Sequence, residues 1–296
     1  PLMRGKQRSR PVESIVAEAR RLAAEGVKEI NLISQDTINY GVDLGLRRGL
    51  VQLLRELVKV EKLRWIRPFY LYPQQVTDDL LDLYAAEEKI TKYIDMPLQH
   101  INDRMLKRMH RLGDRAAIES LVDRIRTRIP TVSFRTAFIV GFPGESDAAF
   151  TELHEYVTQA EFDRVAVFLY SDEEGTGAVG LDEKVERDVM DERRNAILSV
   201  QESISAAKGR AKVGTTIDVL IDGRSEETEQ VLEGRHEGLA PEIDGVVYID
   251  EGQSDTTPQR PAHHNVSSPT PGDFCKVEIT DASAFDLVGH IITTPV

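Results

Sequence analysis

The sequence predicts an α/β chain: a partial or closed (β/α) barrel, followed by a small all-β barrel. Three observations carry this. Strand-like and helix-like patterns alternate five times up to about residue 170, which argues for parallel strands with right-handed crossovers. No glycine-rich phosphate loop follows the first strand, which favours a barrel over an open doubly wound sheet. Past a long polar helix, the composition turns to short β-rich runs separated by turn residues.

Taken in order, Val12–Glu25 places Ile15, Ala19, Leu22 and Ala23 at helical spacing and stops at Gly26. Glu29–Ser34 reads as a strand, 49–60 as a helix, and Trp65–Leu71 as a strand ended by Tyr72-Pro73. Thr77 is the expected cap of a helix reaching Glu87, with Asp78 and Asp79 in its first turn. The strand Tyr93–Met96 ends at Pro97, and helices are expected over Asp103–Met109 and Asp114–Arg128. Phe134–Gly141 is a strand in which six of eight residues are apolar or small, and Gly-Phe-Pro-Gly ends it. Ser146 caps a helix to Ala160, and Arg164–Tyr170 is a strand. A polar helix over Glu183–Lys212 leads to short strands at Thr215–Ile221, Gln230–Glu233, Gly245–Ile249, Phe274–Ile279 and Val288–Thr293. The expected domains are therefore 1–210 and 211–296. Within the second, 252–272 is rich in Pro, Ser and Thr and reads as a disordered loop, with His263-His264 as solvated residues.

The totals set bounds. With 296 residues and 41% hydrophobic content there is material for a large core and a smaller one. No apolar run approaches the ~20 residues a membrane helix needs. The opening PLMRGKQRSR is basic, lacks the apolar segment of a secretory signal and lacks an initiator Met, so an excised fragment is expected; a single cysteine fits a reducing cytoplasm. Cys275 is the only cysteine, which excludes an internal disulfide and a cysteine-only metal site; as a strand residue it reads as core. The net charge is −13, and residues 211–296, with 16 Asp/Glu and 5 Lys/Arg, carry −11 of it. An acidic segment repels phosphate backbones and attracts basic proteins.

Barrel enzymes place chemistry at the C-terminal ends of their strands. Here those ends supply Ser34-Gln35-Asp36, Tyr70 and Tyr72, Gln99-His100, Gly141–Glu145 and Tyr170-Ser171-Asp172. Amides, phenols and an imidazole suit a polar small molecule held by many hydrogen bonds. No carboxylate pair, nucleophile elbow or metal-ligand spacing stands out, so no catalytic or metal-ligating residue is assigned. Arg135, inside an apolar strand, needs an anion, either Asp95 on a neighbouring strand or a ligand carboxylate.

These segments together resemble the radical S-adenosylmethionine methylthiotransferases over nearly the whole chain. The resemblance runs through RGKQRSRP, LISQDTINYG, YIDMPLQHIND, FRTAFIVGFPGES and FLYSDEEGT to a C-terminal TRAM domain. Gln35-Asp36-Thr37, Gln99-His100 and Ala240–Gly245 (APEIDG) are similar to the branch that modifies the β-carbon of an aspartate in the S-twelve protein of the small ribosomal subunit. The tRNA-modifying relatives usually read Gly-Gln-Asn-Val-Asn and Gln-Ser-Gly at the first two places.

The resemblance implies a radical-SAM barrel whose first strand and Cys-x-x-x-Cys-x-x-Cys loop precede Pro1. It also implies two [4Fe-4S] clusters whose ligands this chain lacks, and an electron donor. S-adenosylmethionine would be cleaved to a 5′-deoxyadenosyl radical, and the second cluster would deliver the methylthio group. Arg135 would then meet the methionine carboxylate, Gln35 the ammonium and Gln99 the ribose. Ile139–Phe142, with Gly141 and Phe142, would lie against adenine. Arg4, Arg8 and Arg10 would neutralise the target aspartate, and the acidic TRAM domain would draw in the basic ribosomal protein. The chain alone is expected to be inactive. The alternatives are a tRNA adenosine methylthiotransferase and a non-catalytic protein- or RNA-binding module.

Overall fold

Apolar residues that alternate along short strands, and recur every three or four positions along the intervening segments, need a sheet with helices packed on one face. The structure, a computed structural model describing residues 5, 7–173, 175–225, 228, 230–250 and 269–293, meets that need in two compact units, 1–201 and 202–296. Arg4 and His263-His264, with most of the loop expected at 252–272, lie outside the described residues.

The first unit runs α1 (Val12–Ala24), β1 (Glu29–Leu32), α2 (Gly49–Leu57), β2 (Trp65–Pro68), α3 (Asp78–Ala86), β3 (Tyr93–Asp95), α4 (Asp103–Arg108), α5 (Arg115–Arg128), β4 (Ser133–Val140), α6 (Asp147–Ala160) and β5 (Arg164–Leu169). The helix α7 (Arg187–Arg210) follows, and the division between units falls within it. β1 pairs with β2, and β3 with β4 and then β5, all in parallel. A parallel bridge from Ile66 to Ile90 joins the two sets. Beyond it, the Leu71 amide donates to the Asp95 carbonyl at 2.9 Å. The result is the partial parallel barrel expected from the sequence.

Side-chain alternation divides the strands cleanly. Ile30, Leu32, Ile66, Ile94, Phe134, Phe138, Val140 and Val165 join the helical core with Leu54, Leu57, Leu121, Ile125, Leu153, Val157 and Ile197. The opposite face carries Glu29, Asn31, Arg67, Tyr93, Asp95, Arg135, Ala137 and Ile139. Polar residues fill it in pairs: Arg67 bonds Glu29 at 2.9 Å and lies 4.7 Å over the Tyr93 ring.

The helix starts follow ordinary capping. Asn102, Asp114 and Ser146 accept from Met105, Ala117 and Ala149 amides at 3.2, 2.8 and 3.3 Å. Thr77 occupies the N-cap of α3, but its side chain makes no capping bond, contrary to the expectation from sequence. Among the described residues, no helix is long and apolar enough to cross a membrane.

The second unit holds β6 (Thr216–Arg224), β7 (Val231–Arg235), β8 (Val247–Asp250), β9 (Phe274–Ala282) and β10 (Leu287–Thr293), closed in the order β10-β8-β7-β6-β9. Closure removes the strand edges that would otherwise invite pairing with another chain. Val219, Ile221, Leu232, Val247, Ile249, Cys275, Val277 and Ile279 fill its interior. Gly289 permits a close approach of strands: a Cβ there would meet the Glu278 carbonyl oxygen at 2.5 Å.

Candidate functional site

Three successive strands of the first unit end in the same unusual backbone. Tyr70 after β2, Gln99 after β3 and Gly141 after β4 have φ of 55°, 72° and 76°. For a residue with a Cβ, the left-handed region costs on the order of 1–3 kcal/mol and persists only where the surroundings impose it. Here they do. The Tyr70 amide donates to Asp95 Oδ2 at 3.1 Å, and its carbonyl accepts from Thr37 at 3.2 Å. Gln99 is pinned on both sides to β4, donating to the Ala137 carbonyl and accepting from the Ile139 amide, both at 2.8 Å. The Gly141 amide donates to Glu145 Oε2 at 2.5 Å.

These turns lay the strand ends open as a polar rim above the inner face. Gln99 is half-buried, and its side-chain amide has no hydrogen-bond partner among the described residues. Gln35, just past β1, is exposed and likewise unpartnered among them. Gly141 and Phe142 are buried, and the Phe142 ring meets Tyr170 edge-on at 5.1 Å between centroids. Tyr170 donates to Asp172 at 2.7 Å, and burial together with that carboxylate raises its pKa.

Arg135 projects onto the inner face, its side chain 18% exposed, and its Nη1 donates to Asp95 Oδ1 at 2.7 Å. Of the two partners its sequence allowed, the strand carboxylate is thus in place. Along β4, Arg135, Ala137 and Ile139 follow one another at about 6.6 Å intervals. Gln99 and Gly141 thus end two strands, β3 and β4, that lie side by side, with Arg135 on the inner face of β4, while Gln35 follows the end of β1.

The basic opening segment lies along β1 and the residues that follow it. Arg8 and Arg10 line a cavity with Ile15 and Ala19 of α1, Ile30 and Asn31 of β1, and Ser34. Arg10 is engaged by Glu18 at 2.5 Å and Ser14 at 2.9 Å. Arg8 is exposed, with no partner among the described residues.

His100 departs from the sequence reading, which set an imidazole at the rim. It is fully buried, with Nδ1 accepting from the Ile101 and Asn102 amides at 2.9 and 3.0 Å and Nε2 facing Glu145 Oε1 at 3.1 Å. The turn out of β3 sends Gln99 to one side of the backbone and its neighbour to the other. Arg193, which contacts Glu145 from α7, was missed altogether, because nothing local in a polar helix marks one arginine among several. Among the described residues, no group of three His, Cys, Asp or Glu could hold a metal ion.

Comparison with known proteins gives two family matches: the Radical SAM superfamily over residues 2–157 and the TRAM domain over 213–292. The chain is 46% identical over 298 residues to the ribosomal protein uS12 methylthiotransferase RimO of Sorangium cellulosum, covering 99% of this chain and 58% of that protein. It is 47% identical over 292 residues to the protein of that name from Koribacter versatilis, covering 99% and 56%. The chain thus spans somewhat under two thirds of these relatives. Among solved structures, coproporphyrinogen III oxidase (HemN) from Escherichia coli aligns over 76% of this chain and 60% of its own, at 14% identity and a TM-score of 0.43.

Proposed function

The chain belongs to the radical SAM superfamily and carries a TRAM domain, and from that membership we propose that it holds the cofactor-binding barrel of a methylthiotransferase acting on ribosomal protein uS12. The supporting observation is 46% identity over 99% of the chain to a protein of that name.

The rim suits S-adenosylmethionine on its own chemistry. A partnerless amide at Gln99 beside the small and apolar Ala137 and Ile139 fits a ribose next to a base. Gln35 would accept from the ammonium, and Arg135 would meet the methionine carboxylate at the exposed edge of its guanidinium. Gly141 and Phe142 would close against the adenine. When bound, the cofactor supplies the oxidising power that takes hydrogen from an unactivated carbon. The chain's own residues orient it and keep water away.

A [4Fe-4S] cluster needs several thiolates, and Cys275, the only cysteine of this chain, lies 1% exposed in the core of the small barrel. Any cluster ligands must then come from other residues of the protein. These 296 residues alone should take up no cluster and carry out no transfer.

The substrate reading follows from charge. The −11 of residues 211–296 suits a basic ribosomal protein, a cytoplasmic substrate, and suits RNA poorly. The test is anaerobic incubation of the reconstituted whole gene product with S-adenosylmethionine, a reductant, uS12 and tRNA, followed by mass spectrometry. One methylthio group on a uS12 aspartate is expected. Its appearance on tRNA alone would overturn the substrate, and its absence from both would leave a binding module.

A further inference from the structure

The buried carboxylate of Glu145 joins three segments that lie far apart in sequence. It accepts from the Gly141 amide at 2.5 Å, from Arg193 Nη1 at 2.8 Å and faces His100 Nε2 at 3.1 Å. Because two backbone amides donate to His100 Nδ1, the ring proton sits on Nε2 and is donated to Glu145. Arg193 also donates from Nη1 to the Glu145 carbonyl at 3.0 Å and from Nη2 to Asp147 at 2.7 Å. The side chains of Glu145 and His100 are wholly buried and that of Arg193 is 6% exposed.

Stability alone gives little reason for this arrangement. Replacing a buried ion pair by apolar residues of similar volume is often neutral or stabilising. What the pair does here is geometric. Its donors come from the turn carrying Gly141, from the residue following Gln99, and from α7. One turn earlier on the same face of α7, Met190 packs against that turn so closely that a Cβ on Gly141 would lie 2.3 Å from its Cγ. Two rim elements are thus held from behind by one carboxylate, whose position α7 fixes.

We infer that Arg193 is a positioning residue for the cofactor: through Glu145 it sets the Gly141 turn and the Gln99 loop in the spacing that S-adenosylmethionine requires. This rests on the reading of the rim as the cofactor's site. It concerns no group that touches the cofactor.

The test has two readouts: the proton shift and exchange rate of the Gly141 amide by NMR of the 296-residue chain, and S-adenosylmethionine affinity of the reconstituted whole gene product by equilibrium dialysis. Arg193→Gln and Glu145→Gln should each speed Gly141 exchange and weaken binding about tenfold, the cost of one charge-assisted hydrogen bond. Arg193→Lys should recover part of both. Ile197→Val, a core change on the same helix, should lower the melting temperature and leave both readouts in place. An unmoved Gly141 amide in Arg193→Gln overturns the inference, and so does the same displacement in Ile197→Val. If the unaltered, reconstituted gene product fails to bind S-adenosylmethionine, the reading of the site fails instead, and the Gly141 amide still decides whether Arg193 sets the turn.

Discussion

Asp95 serves two neighbours at once, taking Arg135 on one oxygen and the Tyr70 amide on the other, at 2.7 and 3.1 Å. That double use makes Arg135 a structural residue as well as a candidate ligand for a carboxylate. Arg135→Met would leave Asp95, 1% exposed, as a buried charge without its ion-pair partner. We expect a loss of about 3 kcal/mol in denaturant unfolding of the first unit. Arg135→Lys should keep most of the stability and lose the planar fork. Arg135, Gln35 and Gln99 could be proposed from sequence, because a charge within an apolar strand and amides just past strand ends are local signals. Sequence could not show the Glu145–Arg193 pair, whose members are 48 positions apart. His100 was misplaced for a related reason: a residue's position at a strand end says nothing about which way the following turn sends it.

At the scale of elements, the strands and helices were legible because apolar spacing of two and of three to four is written along the chain. Their ends were less so. The long helix expected from Glu183 starts at Arg187, because Glu183 takes a left-handed φ of 64° and its carbonyl accepts from Gly144 at 2.8 Å. Two short 3₁₀ turns, Val42–Leu44 and Pro73–Gln75, carry no apolar period and were not read.

The turn after β4 offers a sharp test. Gly141→Ala would combine a φ of 76° with a side chain driven into Met190, and should cost about 2 kcal/mol and lower cofactor affinity. In β9, burial pushes the Cys275 thiol from 9.0 up to about 11. The folded barrel therefore holds that proton where the unfolded chain has lost it. This contribution to stability is complete below pH 9 and disappears as the pH rises from 9 to 11. Cys275→Ala should flatten that decline in pH-dependent unfolding, and Cys275 should resist thiol reagents in the native state.

Across the whole molecule, the α/β and all-β classes of the two units were legible in the patterning, whereas the structure divides the chain after Gln201, within α7, rather than at the change in composition near residue 211. The acidic charge was readable by counting. What counting could not supply is how the rim is held: left-handed turns at three consecutive strand ends, fixed from below by Asp95 and Glu145. Whether this rim receives S-adenosylmethionine is read from amide hydrogen exchange of the reconstituted whole gene product with and without that cofactor. Slowed exchange is expected in the segments holding Gln35, Gln99 and Ala137–Phe142. Slowing confined to the segment of Arg8 and Arg10, or none at all, would contradict the assignment.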